Sequence, residues 1–283
     1  MNNLGQLFTS LQPHILPESN THIDCFLKFV QQERPFTFVR FSDGEIEVLR
    51  NRKLLIKNGI TEFRGRRFSN QFPEFDQKRF DPMNGQVVRR DLLASAIFQD
   101  SNYFKGIPTA HNSAIQDREF LLRLNGGFTS QMTFSDLFLN CNFLFARKNF
   151  FPLIIGHFDH LRVVGNWRSD LKGYLTKGQL IPIPDDFFST YEVTLNFVLD
   201  QLKNVPKFCL VISSASSLSN VIGHKLRLLR PDITFFDVGT VLNDFLGLPL
   251  GTRAYHKLID PKTFREKLAA WRYKRHGEYQ LRW

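Results

Sequence analysis

The sequence predicts an α/β fold, a mainly parallel sheet with helices on both faces. Three observations carry this. Short apolar, β-rich runs alternate with stretches of helical periodicity along 283 residues. Some 42% of the residues are hydrophobic, enough for a sizeable core. The clearest unit, Lys207 to Gly239, reads as strand, small-residue turn, helix and strand, a βαβ arrangement.

In chain order, Ile23 to Gln32 is an amphipathic helix, Phe36 to Phe41 a buried strand and Ile46 to Arg52 a second helix. Arg64 to Gly85 is polar, holds Pro73 and Pro82 and shows no period, so it is expected to be a long loop or an excursion from the core. A helix from Val87 to Phe98 leads to a strand at Phe104 to Ile107. Strands follow at Leu161 to Val164 and Leu180 to Ile183, then a helix from Tyr191 to Leu202. The strand Phe208 to Ile212, the helix Leu218 to Leu229 and the strand Ile233 to Val238 form the βαβ unit. No repeat, low-complexity tract or linker interrupts the chain. One domain over residues 1–283 is expected, with a basic tail from about residue 253.

Thirty phenylalanines against six tyrosines and three tryptophans place most aromatic surface in groups without a hydrogen-bonding handle, which belong in the core. The formal net charge of +10 calls for an anionic partner: nucleic acid, an acidic membrane surface or a phosphorylated substrate. A nucleic-acid-binding protein stays open as the alternative, although zinc-finger spacing, an RNP-like string and a helix-turn-helix are all missing, so no specific nucleic acid is expected. A nicotinamide or S-adenosylmethionine enzyme is weakened by the lack of a glycine-rich first turn. Cys25, Cys141 and Cys209 are far apart and form no CxxC pair, which argues against a disulfide framework and a zinc ribbon. The amino terminus lacks a basic n-region, and no apolar run approaches the roughly 20 residues needed to span a bilayer. The expected location is cytoplasmic.

Ser42-Asp43-Gly44-Glu45 would follow the first strand at its carboxyl end, where open α/β sheets place ligands. Two carboxylates separated by one glycine can hold a hard divalent ion that grips a diphosphate, and Arg40 suits a carboxylate or phosphate. The same residues, Ser42-x-x-Glu45 before Ile46, Val48 and Leu49, also fit a helix capping box. The two readings are compatible. In the βαβ unit, Ser214, Ser216 and Ser217 lie in a turn that offers hydroxyls and backbone N–H groups to an anion. Asp237, before Gly239, is placed to act as general base or to bind a sugar, or else to cap a following helix. Asn102 and His111 flank the strand at Phe104 and are further candidates for the cleft. His157, Asp159 and His160 invite a zinc reading but lack a third strong ligand, and Trp167 is a candidate platform for a nucleotide base in what reads as an ordinary turn.

The string Arg40-Phe41-Ser42-Asp43-Gly44-Glu45 resembles the R-[FY]-[GS]-D-G-E loop of the GT-D fold glycosyltransferases, a family first described as a domain of unknown function. Lys105-Gly106-Ile107-Pro108 is similar to that family's "GIP", and Phe235-Phe236-Asp237-Val238-Gly239 to its late "D-[IV]-G". Thr240 stands where a histidine commonly follows, and the serine turn lacks the usual "L-G-P-[ST]". The resemblance implies a Rossmann-like fold, a nucleotide-diphosphate sugar donor and a glycan, glycoprotein or lipid-linked acceptor. It implies Mn²⁺ or Mg²⁺ at a DxE motif formed by Asp43 and Glu45, with Arg40, Phe41, Ser42 and Gly44 around the substrate.

From residue 253 onward, nine lysines and arginines stand against three acids, a net charge of +6 interleaved with Leu268, Trp271, Tyr273, Tyr279 and Trp283. This composition suits peripheral contact with an anionic membrane, and equally a helix packing its aromatic face on the core.

Overall fold

A computed structural model describes residues 17–57, 60–69, 76–108, 115–126, 131–139, 142–250 and 254–259. Eleven strands are found among them: β1 (Thr37–Arg40), β2 (Leu54–Lys57), β3 (Ile60–Phe63), β4 (Arg66–Ser69), β5 (Lys78–Phe80), β6 (Tyr103–Ile107), β7 (Met132–Phe134), β8 (Leu161–Asn166), β9 (Gln179–Ile183), β10 (Leu210–Ser213) and β11 (Thr234–Asp237). The helices are α1 (Pro17–Gln31), α2 (Asp43–Leu49), α3 (Gln86–Ile97), α4 (Ile115–Leu124), α5 (Phe143–Phe145), α6 (Phe151–His157), α7 (Tyr191–Lys203) and α8 (Ser217–Leu229). A π turn, Ala146–Phe150, joins α5 to α6.

Seven strands form the central sheet in the order β7-β6-β1-β11-β10-β8-β9, and every neighbouring pair is parallel. Alternation along β1 sends Phe36 and Phe38 to one face and Val39 and Phe41 to the other. The first face packs against α1 and the α5–α6 segment through phenylalanines. Phe26 stacks on Phe36 at 4.8 Å, and Phe36 meets Phe236 edge to face at 5.0 Å. The second face receives α3, α7 and α8 through Leu92, Val198, Leu218 and Ile222. Both faces are thus covered, as an all-parallel sheet requires. The strand expected from Phe208 starts at Leu210, because Phe208 has a left-handed φ of 55°.

Of the two alternatives for Arg64 to Gly85, the plain loop is corrected: the stretch contains β4 and β5. With β2 and β3 these form a second, antiparallel sheet in the order β4-β3-β2-β5. The β3–β4 hairpin turns at Arg64 and Gly65, with φ of 52° and 71°, the double positive φ of a tight two-residue hairpin. Arg64 ties the turn to the helical layer, with Nη2 at 2.5 Å from Asp117 on α4 and Nε at 3.9 Å from the buried Glu47 on α2. Leu54, Ile56 and Phe80 share one core with Val39 and Phe41. Among the described residues, no helix is long and apolar enough to cross a membrane. Apart from residues 254–259, the basic tail lies outside the described residues, as do His111 and Cys141.

Candidate active site

A cavity of about 460 Å³ opens at the carboxyl ends of the parallel strands. Strand ends leave unpaired backbone groups and diverging connections there, which is why such sheets bind ligands at this edge. Arg40 and Ser42 to Glu45 enter from the β1–α2 junction, Ser214 to Ser216 from the β10–α8 turn, and Asp237 and Gly239 from the end of β11. Asn166 ends β8 and Asp185 follows β9, while the second sheet adds Leu54, Ile56, Thr61, Phe63 and Lys78.

At the centre, the partly buried Arg40 and the buried Asp237 form an ion pair on neighbouring strands. Arg40 Nη2 donates to Asp237 Oδ1 at 3.1 Å, and the Arg40 backbone N–H donates to Oδ2 at 3.2 Å. Asp237 Oδ1 also accepts the Gly239 N–H at 3.1 Å. Burial pushes the Asp237 carboxyl above its ordinary range, against the pull of Arg40. Gly239 has φ +54°, and a Cβ there would fall 2.0 Å from Arg40 Nη2. Only glycine combines that backbone with room for the guanidinium. With both oxygens engaged, Asp237 is placed to orient Arg40.

The start of α2 carries the capping box read from the sequence. Glu45 Oε2 accepts the Ser42 N–H at 3.0 Å, and Oε1 accepts the Ser217 hydroxyl at 2.8 Å. Glu45 is therefore held from two elements. Burial raises its pKa, opposed by the Lys78 charge and the Ser217 hydrogen bond. Asp43 is exposed, and its Oδ1 accepts the Gly44 N–H at 3.0 Å. A Cβ on Gly44 would find only Leu54 Cδ2 at 3.8 Å, so the backbone path there does not need glycine.

In the serine turn, Ser214 Oγ donates to the Gly239 carbonyl at 2.7 Å, joining the β10 and β11 ends. Ser216 has φ 50°, a conformation that glycine adopts freely and serine only under strain. Its Oγ is buried on the cavity wall with no partner among the described residues. An orphaned hydroxyl on a strained residue at the amino end of the 13-residue α8 is the local pattern of an anion subsite.

Among the described residues no group of three or more His, Cys, Asp or Glu side chains is arranged to hold a metal. Asp43 and Glu45 nonetheless fit a hard divalent ion bound mainly through substrate oxygens and water. Each carboxylate has about four lone-pair sites, and hydrogen bonds engage two at Glu45 and one at Asp43.

Several sequence candidates fall elsewhere. Phe41 points into the core at 1% exposure. Asn102 precedes β6 and so lies at the opposite, amino-terminal edge of the sheet, where its Oδ1 accepts from Arg34 at 2.5 Å. Ser217 is buried and acts through Glu45. His157, Asp159 and His160 line a recess at that amino-terminal edge, beside Arg34 and Lys207. Trp167 is 58% exposed beneath Arg168, in a turn that ties Arg168 to Asp185 at 2.8 Å. Lys105 is buried and closes the end of α3 by donating to the Ala96 and Phe98 carbonyls at 3.2 and 2.8 Å and to Asn125 Oδ1. Desolvation pushes its pKa down to about 8. Lys78, which sequence reasoning missed, reaches the cavity through strand pairing, and no local motif marks it.

No protein-family model matches this chain, and no curated protein matches it. Three solved structures are similar to it over most of its length. One, "The highly conserved domain of unknown function 1792 has a distinct glycosyltransferase fold", shares 13% identity at a TM-score of 0.47, covering 97% of this chain and 95% of that one. A selenomethionine-substituted structure of domain of unknown function 1792 shares 12% at 0.43, covering 90% and 89%. A structure from Streptococcus sanguinis, described as a new glycosyltransferase of the same domain type, shares 13% at 0.42, covering 87% and 91%.

Proposed function

We propose that this protein is a metal-dependent glycosyltransferase that moves a sugar from a nucleotide-diphosphate donor to a glycan, glycoprotein or lipid-linked acceptor. One observation carries the reading: the Asp43/Glu45 loop, the Arg40–Asp237 pair and the strained serine turn line a single cavity at the carboxyl ends of a parallel sheet. Each suits a diphosphate, and their convergence distinguishes this edge from an ordinary row of helix caps.

Mn²⁺ or Mg²⁺ at Asp43 and Glu45 would offset the charge that develops on the departing diphosphate. Arg40, held by Asp237, presents a fixed guanidinium to the same oxygens, and preorganised charge of this kind lowers a barrier without reorganising as the reaction proceeds. The Ser216 hydroxyl and the amino end of α8 supply further donors. Ser217 and the Ser42 N–H fix the Glu45 carboxylate in place. The role this arrangement favours for Asp237 is to position Arg40, since three donors already occupy its oxygens.

The test is thermal denaturation with a panel of nucleoside diphosphates, with and without Mn²⁺. A diphosphate at about 100 times its dissociation constant should add roughly 2.7 kcal/mol when the ion is present and much less without it. Asp43→Asn and Glu45→Gln should each abolish most of this gain while leaving the unliganded protein folded. Ser42→Ala should cost about 0.5–2 kcal/mol of stability, as a cap does. A melting temperature unmoved by every diphosphate with Mn²⁺ would remove the donor reading.

A further inference from the structure

The cavity has two walls, each continuous with a different core. On one, Leu54 and Ile56 pack with Val39 and Phe41, and the α2 loop and serine turn assigned above to a diphosphate lie on that side. The other wall is built by the chain that follows β7 and β11. There Leu248 and Tyr255 belong to the phenylalanine core with Phe143, and Asp136 and Asn243 stand beside them on the lining. Arg40 connects the walls: its strand leads into α2, while its Nη1 donates to the Ser135 carbonyl at 3.3 Å.

The second wall is held by its own contacts. Arg147 donates to the Val241 carbonyl at 3.1 Å and pairs with the Asp244 carboxylate. The Thr240 and Tyr255 hydroxyls bond to each other, and the Leu248 N–H donates to the Asn243 carbonyl at 2.8 Å. Within this fixed frame the Asn243 side chain is 3% exposed, and its Oδ1 is buried with no partner among the described residues. A buried acceptor without a donor costs free energy, and a segment anchored on both sides of Asn243 cannot shift to relieve it. Oδ1 calls for a ligand that donates.

Asp136 adds a carboxylate to the same wall. A phosphate brings negative charge and acceptor oxygens of its own, so a wall offering an amide oxygen and a carboxylate is poorly matched to it. Sugar hydroxyls donate, and the apolar surfaces of Leu139 and Leu248 suit the C–H face of a ring. Resting on the donor reading above, we propose that this wall is the acceptor subsite, where Asn243 Oδ1 and Asp136 accept hydrogen bonds from hydroxyls of a neutral sugar. The acceptor then enters the cavity as that sugar, and not as a phosphate.

Saturation-transfer NMR on the full chain, with Mn²⁺ and the nucleoside diphosphate that stabilises it most, compares the two ligand classes. The neutral probes are methyl glycosides of glucose, galactose and N-acetylglucosamine, and the anionic probe is farnesyl phosphate. At least one glycoside should bind. Asn243→Leu, which removes the amide at similar volume, should weaken that glycoside about tenfold, the weight of one hydrogen bond, with diphosphate affinity as in the wild type. Asn243→Asp keeps an acceptor oxygen but loses the amide donor, so it should restore much of the binding, which a structural role played through the amide N–H would not allow. Asp136→Asn, at a partly exposed residue, carries the test if the Asn243 variants do not fold: it should weaken the glycoside several-fold and tighten farnesyl phosphate. A wild-type protein that takes the diphosphate but no glycoside overturns the acceptor proposal alone. So does glycoside binding indifferent to both Asn243→Leu and Asp136→Asn, or equal loss of glycoside and diphosphate in Asn243→Leu. Should the wild type bind none of the diphosphates with Mn²⁺, the donor reading itself fails, and glycosides titrated without nucleotide still report on the wall.

Discussion

Replacing Gly239 with alanine should disturb the protein far more than one methyl group suggests. The backbone φ of +54° costs a residue with a Cβ about 1 kcal/mol. The larger effect is indirect. A Cβ 2.0 Å from Arg40 Nη2 and 2.6 Å from Cζ forces the guanidinium off Asp237. The side chain can swing into the cavity, so the clash itself is relieved, but Asp237, 2% exposed, loses its charged partner. Stranding a buried charge in this way costs about 3–5 kcal/mol, so the total should be roughly 4 kcal/mol or somewhat more. For a chain of this size that is a drop of roughly 8–16 °C in melting temperature. Urea denaturation of four proteins, wild type, Gly239→Ala, Arg40→Ala and the double variant, isolates the coupling. In the Arg40→Ala background the alanine should cost only the backbone term of about 1 kcal/mol. A penalty of equal size in both backgrounds would show that the guanidinium is not what Gly239 accommodates, and the account of the Arg40–Asp237 pair would fall.

Two further outcomes follow from the chemistry of charge. Lys105 has a folded pKa near 8 against its ordinary 10.5, so between those values the unfolded chain binds more protons and stability should rise with pH, having been lowest below pH 8. Lys105→Met should flatten that rise between pH 8 and 10 when the two urea midpoints are compared. The comparison cancels the opposing slope from Cys209, whose thiol burial pushes up to about 11; parallel slopes in both proteins would contradict the desolvated ammonium. For the basic tail, a net charge of +6 with interleaved aromatics should bind vesicles containing phosphatidylserine and release them as salt rises. Neutralising Lys262, Arg265, Lys267, Arg272, Lys274 and Arg275 should reduce co-sedimentation, and equal binding by both proteins would remove the membrane reading.

The parts of the fold legible in the sequence are those whose signal is local. Phe36 to Phe41, Phe104 to Ile107 and Ile233 to Val238 are near-continuous apolar runs because parallel strands are buried on both faces. The second sheet escaped because its strands have three or four residues, and Arg66-Arg67 and Lys78-Arg79 break the apolar run. The Arg64-Gly65 turn was its one local mark. Lys78 had none, since only the register of β5 on β2 carries it to the cavity. Asn102 was misplaced for a reason the sequence does contain: a residue preceding a parallel strand sits at the amino-terminal edge, and ligands gather at the other.

The two readings of Ser42-x-x-Glu45 are reconciled by how the carboxylates differ. A capping box on an isolated helix end would hold only one oxygen of Glu45, but here the Ser217 hydroxyl, from the start of α8, holds the second. The cap therefore fixes α2 to the serine turn, and with it the distance between the loop that would carry the ion and the turn that would carry the phosphate. Asp43 contributes nothing to that fixation beyond its own Gly44 N–H, and it faces solvent. The division of labour on the proposed reading is then asymmetric. Glu45 supplies a ligand whose position is set in advance by two donors, and Asp43 supplies one that can adjust as the diphosphate arrives. Rigid placement of one carboxylate and freedom in the other suits an ion that is shared with a substrate, because the protein must define where the ion sits without saturating the coordination that the diphosphate completes.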